Sequence, residues 1–150
     1  MSPVEVLDFI FSGDNHKAWI ASWEIIRTRN TLLDQYYLPE LAGLRKSIKS
    51  LPKPEGLALR DSRDSVKLAL AILEARQCDI CRCSIYPTTD QVLPESLEKY
   101  GMIEILAKRD IPWEPEFDCQ CTDCGKIYLV KENHGYHYPV SSWRQIMTNS

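Results

Sequence analysis

The chain has 150 residues, of which 44% are hydrophobic and 26% are charged, and its formal net charge is −3. This composition is typical of a soluble globular protein and excludes a chain that is disordered throughout. No apolar run approaches the ~20 residues of a membrane-spanning helix, and no basic segment precedes an apolar stretch near Met1, as a secretory signal would require. We therefore expect a cytoplasmic protein that neither spans a membrane nor has the strongly basic surface of a nucleic-acid-binding protein.

Helical periodicity dominates the first half of the chain. Gly13 is typical of a helix end, and Asp14 or Asn15 is a suitable cap for the helix that follows. Pro52–Gly56 cannot continue a helix and predicts a loop, after which Asp61 or Ser62 opens the last helix. Apolar residues at helical spacing predict the buried faces of four helices. In chain order, these faces contain Val4, Leu7, Ile10 and Phe11; Trp19, Trp23 and Ile26; Leu41, Leu44, Ile48 and Leu51; and Val66, Ala69, Leu70 and Leu73.

Strand-forming segments follow in the second half. Met102–Leu106 and Lys126–Lys131 are rich in β-branched and aromatic residues, which favours strands. We predict a short closing helix from Val140 to Met147. The predicted fold is α+β, with N-terminal antiparallel helical hairpins packed on a small C-terminal antiparallel sheet. We divide the chain into a helical subdomain, residues 1–76, and a zinc-ribbon-like β subdomain, residues 77–150, which together form one compact unit.

The six cysteines give the strongest chemical signal in the chain. They are spaced Cys78-x2-Cys81-x-Cys83 and Cys119-x-Cys121-x2-Cys124-Gly125. In a reducing compartment this pattern indicates a metal site more than disulfides. Two C-x-x-C turns can together supply four thiolates to one tetrahedral zinc ion. Gly125 suits the second turn, because the residue after such a pair often needs a positive φ.

The predicted zinc ligands are Cys78, Cys81, Cys121 and Cys124. Cys83 is the alternative to Cys78, since a C-x-C pair on an extended segment also directs both sulfurs to one side. Four thiolates close the coordination sphere, so the zinc is expected to be structural.

The sequence contains no convincing catalytic motif, although sequence alone does not exclude that a cysteine and a histidine pair in space. There is no His-x-Glu with Pro-Cys-x-x-Cys, as a zinc deaminase requires, and no phosphate-binding Gly-rich loop. There is also no Gly-x-Ser-x-Gly or His-Glu-x-x-His motif. We therefore do not expect an enzyme.

Several stretches resemble immunity proteins of bacterial contact-dependent growth inhibition and related polymorphic toxin systems. These stretches are Ser12–Trp19 with Ile25–Asn30, Cys81–Tyr86, Phe117–Gly125, and Gly135–Pro139 with Trp143. The resemblance implies a small cytoplasmic protein without catalytic activity. Such a protein binds a cognate toxin domain, often a nuclease, and blocks the toxin's active site or its substrate path.

Acidic residues near the second cysteine motif are the candidates for binding that toxin. Nuclease clefts are usually basic, and complementary charge speeds association. The expected partner-binding residues are Trp113, Glu114, Glu116, Asp118 and Asp123. The alternative is a zinc-ribbon module that binds nucleic acid or a larger assembly through Arg45, Lys46, Lys49 and Lys53.

Overall fold

The computed structural model describes residues 1–53 and 62–148. Within them the protein is α+β, with six α-helices and one four-stranded antiparallel sheet. The chain divides into two compact units, residues 1–80 and 81–150. Pro52 and Lys53 of the predicted loop have no regular secondary structure. Residues 54–56 of that loop and Asp61, one of the two predicted helix starts, lie outside the described residues.

The first unit contains five α-helices: α1 Pro3–Phe11, α2 Asn15–Ile26, α3 Asp34–Tyr37, α4 Leu41–Ser50 and α5 Ser62–Gln77. Local sequence sets the first two helix starts. The Ser2 hydroxyl accepts a hydrogen bond from the Glu5 N–H, and the Asp14 carboxylate accepts one from the Lys17 N–H. These bonds satisfy N–H groups that would otherwise lack partners in the first helical turn. The predicted stop at Gly13 is confirmed by its φ of +76°.

Two helices bury only part of their predicted faces, since Ile10 of α1 and Ile26 of α2 are buried as predicted and other members are not. Helix α1 buries Val6 and Ile10, whereas Val4 and Phe11 are exposed. Helix α2 buries Ala18, Ala21, Ser22, Ile25 and Ile26. It packs against α5, where the Ser22 and Ser65 hydroxyls are hydrogen-bonded at 2.9 Å. Small residues allow this close helix contact, so Trp19 remains exposed and Trp23 is only half-buried.

The second unit combines a 3-10 helix, Arg82–Thr88, with α6, Pro94–Lys99, and four strands. The strands are β1 Ile103–Arg109, β2 Glu116–Cys121, β3 Lys126–Asn133 and β4 Val140–Thr148. Each strand pairs with the next one along the chain, so the sheet order is β1-β2-β3-β4. The predicted strand at Lys126–Lys131 is confirmed. The predicted helix at 140–147 is wrong, because this segment pairs along its length with β3.

One face of the sheet forms the core of the second unit. Burial alternates along β2, where Phe117, Cys119 and Cys121 are buried. The period of two is that of a strand with one solvated face. Trp143 on β4 lies over the Tyr86 and Tyr128 rings, with centroid distances of 5.0 and 5.7 Å. This packing holds the 3-10 helix on the same sheet face as the cysteines of β2.

Candidate metal centre

The turn between β2 and β3 presents the second cysteine pair. Cys121 is the last residue of β2, and the chain reverses through residues 122–125. Gly125 closes the turn with a φ of +79°, and its N–H donates to the Cys121 carbonyl at 2.9 Å. The Cys121 sulfur accepts hydrogen bonds from the main-chain N–H groups of Asp123 and Cys124. Such bonds stabilise the thiolate, so the turn is already arranged to present a metal ligand.

The first pair of sulfurs comes from the start of the 3-10 helix. Cys81 caps this helix in an extended conformation, and its carbonyl accepts from the Ser84 N–H at 3.0 Å. Cys83 follows within the first turn and is fully buried. The Cys83 N–H also donates to the Cys81 sulfur. Both side chains are therefore fixed by a local turn, as are those of Cys121 and Cys124.

Four sulfurs converge, from Cys81, Cys83, Cys121 and Cys124. All four lie within 4.8 Å of one another. The Cys81 and Cys121 sulfurs are 3.6 Å apart, and the Cys83 and Cys124 sulfurs are 3.4 Å apart. A tetrahedral ion with metal–sulfur bonds of ~2.3 Å separates its sulfurs by ~3.8 Å. The donor set therefore has close to the spacing that a four-thiolate metal centre requires.

Cys83 takes the place that we expected for Cys78. The Cys78 N–H donates to the carbonyls of Glu74 and Ala75, so this residue continues the last turn of α5. Asp79 then adopts a φ of +56°, and the Ile80 N–H donates a hydrogen bond to the Ala75 carbonyl at 2.8 Å. This arrangement is a helix C-cap. Cys78 is therefore an exposed part of a helix end and does not form a metal-binding turn.

Cys119 also lies outside the cluster. It is fully buried on the core face of β2, opposite Ile105 of β1 and Tyr128 of β3. Burial raises the pKa of its thiol to about 12. Cys119 is therefore a neutral core residue.

Electrostatics within the cluster favour one thiolate when no cation is present. Hydrogen-bond donation from the Cys83 thiol is the main cause that lowers the pKa of Cys121 to about 5. The same bond raises the pKa of Cys83, and burial raises the pKa of Cys81 to about 11. Four thiolates at this spacing repel one another, so the fully ionised cluster requires a cation.

Tyr128 of β3 contacts the cluster through its hydroxyl. Its buried hydroxyl lies 3.2 Å from both the Cys83 sulfur and the Cys83 carbonyl oxygen, each of which can accept its hydrogen bond. The sequence predicts that Tyr128 lies on a strand but does not indicate that it belongs to the site. The hairpin register could have indicated it, since Tyr128 pairs with Cys119, two residues before Cys121.

The predicted partner-binding residues do not form one surface. Trp113 and Glu114 lie in the turn between β1 and β2, and both are exposed. Asp123 lies in the cysteine turn, at the opposite end of β2. Sequence proximity did not reveal this separation because the intervening residues form an extended strand.

Glu116 and Asp118 are engaged within the sheet. Arg109 on β1 donates two hydrogen bonds to the Asp118 carboxylate, at 2.9 and 3.1 Å. It also lies 3.6 Å from a Glu116 carboxylate oxygen. The hydrogen bonds from Arg109 lower the pKa of Asp118 below its usual value. These two acids are therefore partly neutralised and contribute less to an acidic surface than the sequence indicates.

Comparisons of the chain with protein-family models, with curated proteins and with solved structures find no significant match. Among the described residues, no helix has the length and apolar character needed to cross a membrane.

Proposed function

We propose that Cys81, Cys83, Cys121 and Cys124 bind a structural zinc ion. The observation that supports this proposal is the convergence of four sulfurs from two local turns, all within 4.8 Å of one another. Thiolate ligands select zinc and other soft metals over magnesium or calcium. Because the four thiolates fill a tetrahedral sphere, no position remains for a reactive water. The zinc would then fix the β2–β3 turn to the start of the 3-10 helix.

The ligand set is tested with two matched substitutions. We expect purified wild-type protein to contain one zinc per chain by elemental analysis. Cys83→Ser should lose most of this zinc, whereas Cys78→Ser should retain it, because Cys78 lies in a helix cap. A metal-free, fully folded wild-type protein would contradict the proposal. So would zinc that survives Cys83→Ser and is lost in Cys78→Ser.

We infer that the chain is an immunity protein that binds and neutralises a cognate toxin domain. Two of the stretches that carry the resemblance, Cys81–Tyr86 and Phe117–Gly125, contribute all four sulfurs of the cluster. A closed metal site gives the unit rigidity without chemistry of its own. Rigid presentation of a surface is what an inhibitor requires, since it reduces the entropy lost on binding.

A nuclease is the toxin class that the charge favours. The formal net charge is −3, and the second half of the chain contains 11 acidic and 7 basic residues. A protein that occupies a phosphate-binding cleft competes with an acidic polymer, so an acidic surface is complementary to that cleft. Capture by such a surface would occlude the path of the nucleic acid.

The test is rescue of cells from a toxin. The probe is the toxic C-terminal domain of a large secreted protein that is encoded directly beside this chain. We expect co-expression of the chain to restore growth and the two purified proteins to form a complex. A neighbouring toxin that kills cells equally well in the presence of the chain would contradict the proposed function.

The alternative nucleic-acid module is distinguished by a gel-shift titration. Arg45 in the basic patch is already paired with Glu74 at 2.9 Å, which leaves fewer cations for phosphate. We expect no tight binding of DNA or RNA at ~150 mM salt, where weak phosphate contacts are screened. Tight binding under these conditions would favour the alternative.

A further inference from the structure

Two neighbouring turns form one end of the sheet in the second unit. Because consecutive strands are antiparallel, the turn 110–115 and the turn 134–139 lie at the same end, and the cysteine turn lies at the other. We call these two turns together the aromatic tip. The His134 N–H donates to the Trp113 carbonyl at 2.8 Å, and the Glu132 N–H donates to the Pro115 carbonyl at 3.0 Å. These bonds fix the two turns side by side.

The aromatic tip exposes two large rings. Trp113 is 73% exposed and Tyr136 is 65% exposed, whereas Trp143 of the same unit is 4% exposed. Ile111 in the first turn is also exposed. Trp and Tyr are the residue types most enriched among the few residues that dominate protein–protein binding energy. Their burial under a partner would therefore contribute strongly to affinity.

The backbone at Trp113 provides a second, independent observation. Its φ is +65°, in the left-handed region that glycine adopts without strain and bulky side chains rarely adopt. The Trp113 side chain is thus neither buried in the core nor favourable for the turn. Strained positions of this kind cluster at binding and catalytic sites. Exposure and backbone strain together are what a ring that recognises a partner would show.

The charge at the tip indicates the chemistry of the partner. Glu114 follows Trp113 directly and is exposed. Among the residues that the structure describes, no cation lies within ion-pair distance of its carboxylate. An exposed carboxylate beside aromatic rings is suited to bind a guanidinium or ammonium group. The π faces of the rings attract such a cation, and the negative charge of the carboxylate attracts it as well.

We propose that a basic surface of the cognate toxin domain docks on the aromatic tip, with Trp113 and Tyr136 as anchors and Glu114 as the charge partner. This inference rests on the proposed immunity function and narrows its contact surface. It excludes Asp123, which lies at the far end of β2, and it adds the second turn, which was not among the partner-binding residues expected from the sequence.

The decisive variant is Trp113→Gly, because glycine suits the left-handed backbone. We expect this variant to retain its zinc and to unfold at the same or a higher temperature than the wild type. Its affinity for the toxin domain should fall at least ~10-fold by calorimetry, and rescue should weaken accordingly. Leu32→Ala is the matched control, since Leu32 is 76% exposed in the other unit, and it should bind like the wild type.

The outcomes separate this inference from the proposed function. If wild type and Trp113→Gly bind the toxin domain equally well and both rescue cells, the tip is not the contact surface, although the immunity function stands. If the wild type neither binds nor rescues, the proposed function fails and the inference fails with it. A wild-type dimer that Trp113→Gly converts to a monomer would also overturn the inference, because the tip would then bind a second copy.

Discussion

Cys78 and Cys83 look interchangeable in the sequence, since each lies two or three positions from Cys81. The structure distinguishes them through backbone hydrogen bonds. Cys78 is tied to the carbonyls of Glu74 and Ala75 at a helix end, whereas the Cys83 N–H donates to the Cys81 sulfur. The spacing predicted that two turns would supply a metal site. It could not predict which sulfurs take part, because that depends on where α5 ends.

Tyr128 gives the sharpest prediction at the scale of single residues. Tyr128→Phe removes the hydroxyl that donates to the Cys83 sulfur and keeps the ring that packs on Trp143. Loss of a supporting hydrogen bond typically lowers metal affinity by about 10-fold or more. We expect a loss of this size in a chelator competition, together with a shifted sulfur-to-cobalt absorption band in the cobalt-substituted protein. The exposed Tyr36→Phe should change neither quantity.

Secondary-structure elements were predictable where a local signal decides them. The end of α1 at Gly13, the capped start of α2 and the β-branched run of β3 are such cases. Strand β4 has no such local signal. Ser141 and Trp143 are buried and Ser142 and Arg144 are exposed, and this alternation results from the pairing of β4 with β3. The buried face of α2 was predicted only in part, since Ile26 is buried but Trp19 is exposed and Trp23 is half-buried. Its identity depends on close packing against α5, which favours small side chains over large ones.

Two glycines test the turn and the helix separately. Gly125 has a φ of +79° in the cysteine turn, so Gly125→Ala should lower the free energy of unfolding by about 1–2 kcal/mol and weaken zinc binding.

Gly43 lies in α4, where an added Cβ would come within 3.2 Å of the exposed Phe11 ring. That ring can move, so Gly43→Ala should stabilise the protein by up to about 1 kcal/mol. Urea denaturation in zinc-containing buffer measures both effects, and a Gly125→Ala protein as stable as the wild type would contradict the turn assignment.

At the scale of the whole molecule, the candidate metal ligands all belong to the second unit. The first unit has its own core, formed by residues such as Ile25, Ile72 and Leu73. The sheet unit has 70 residues in the chain, and domains of this size gain much from an added metal. The change from helical to strand periodicity in the sequence predicts a boundary after residue 76.

Chelation should therefore act unequally along the chain. Removal of zinc is expected to increase amide hydrogen exchange in β2, in β3 and in residues 82–88, because the ion would tie these elements together. Exchange in α1, α2 and α5 should change little. Mass spectrometry of peptides from the exchanged protein measures this directly. Equal loss of protection in both units would show that the metal stabilises more than the sheet unit.

X-ray absorption at the zinc edge of the purified protein identifies the atoms that bind the metal, so it decides whether the four sulfurs form a zinc site. We predict a single first shell of four sulfurs at ~2.3 Å, which is lost in Cys83→Ser and kept in Cys78→Ser. A shell of nitrogen or oxygen atoms, or folded protein that contains no zinc, would contradict it.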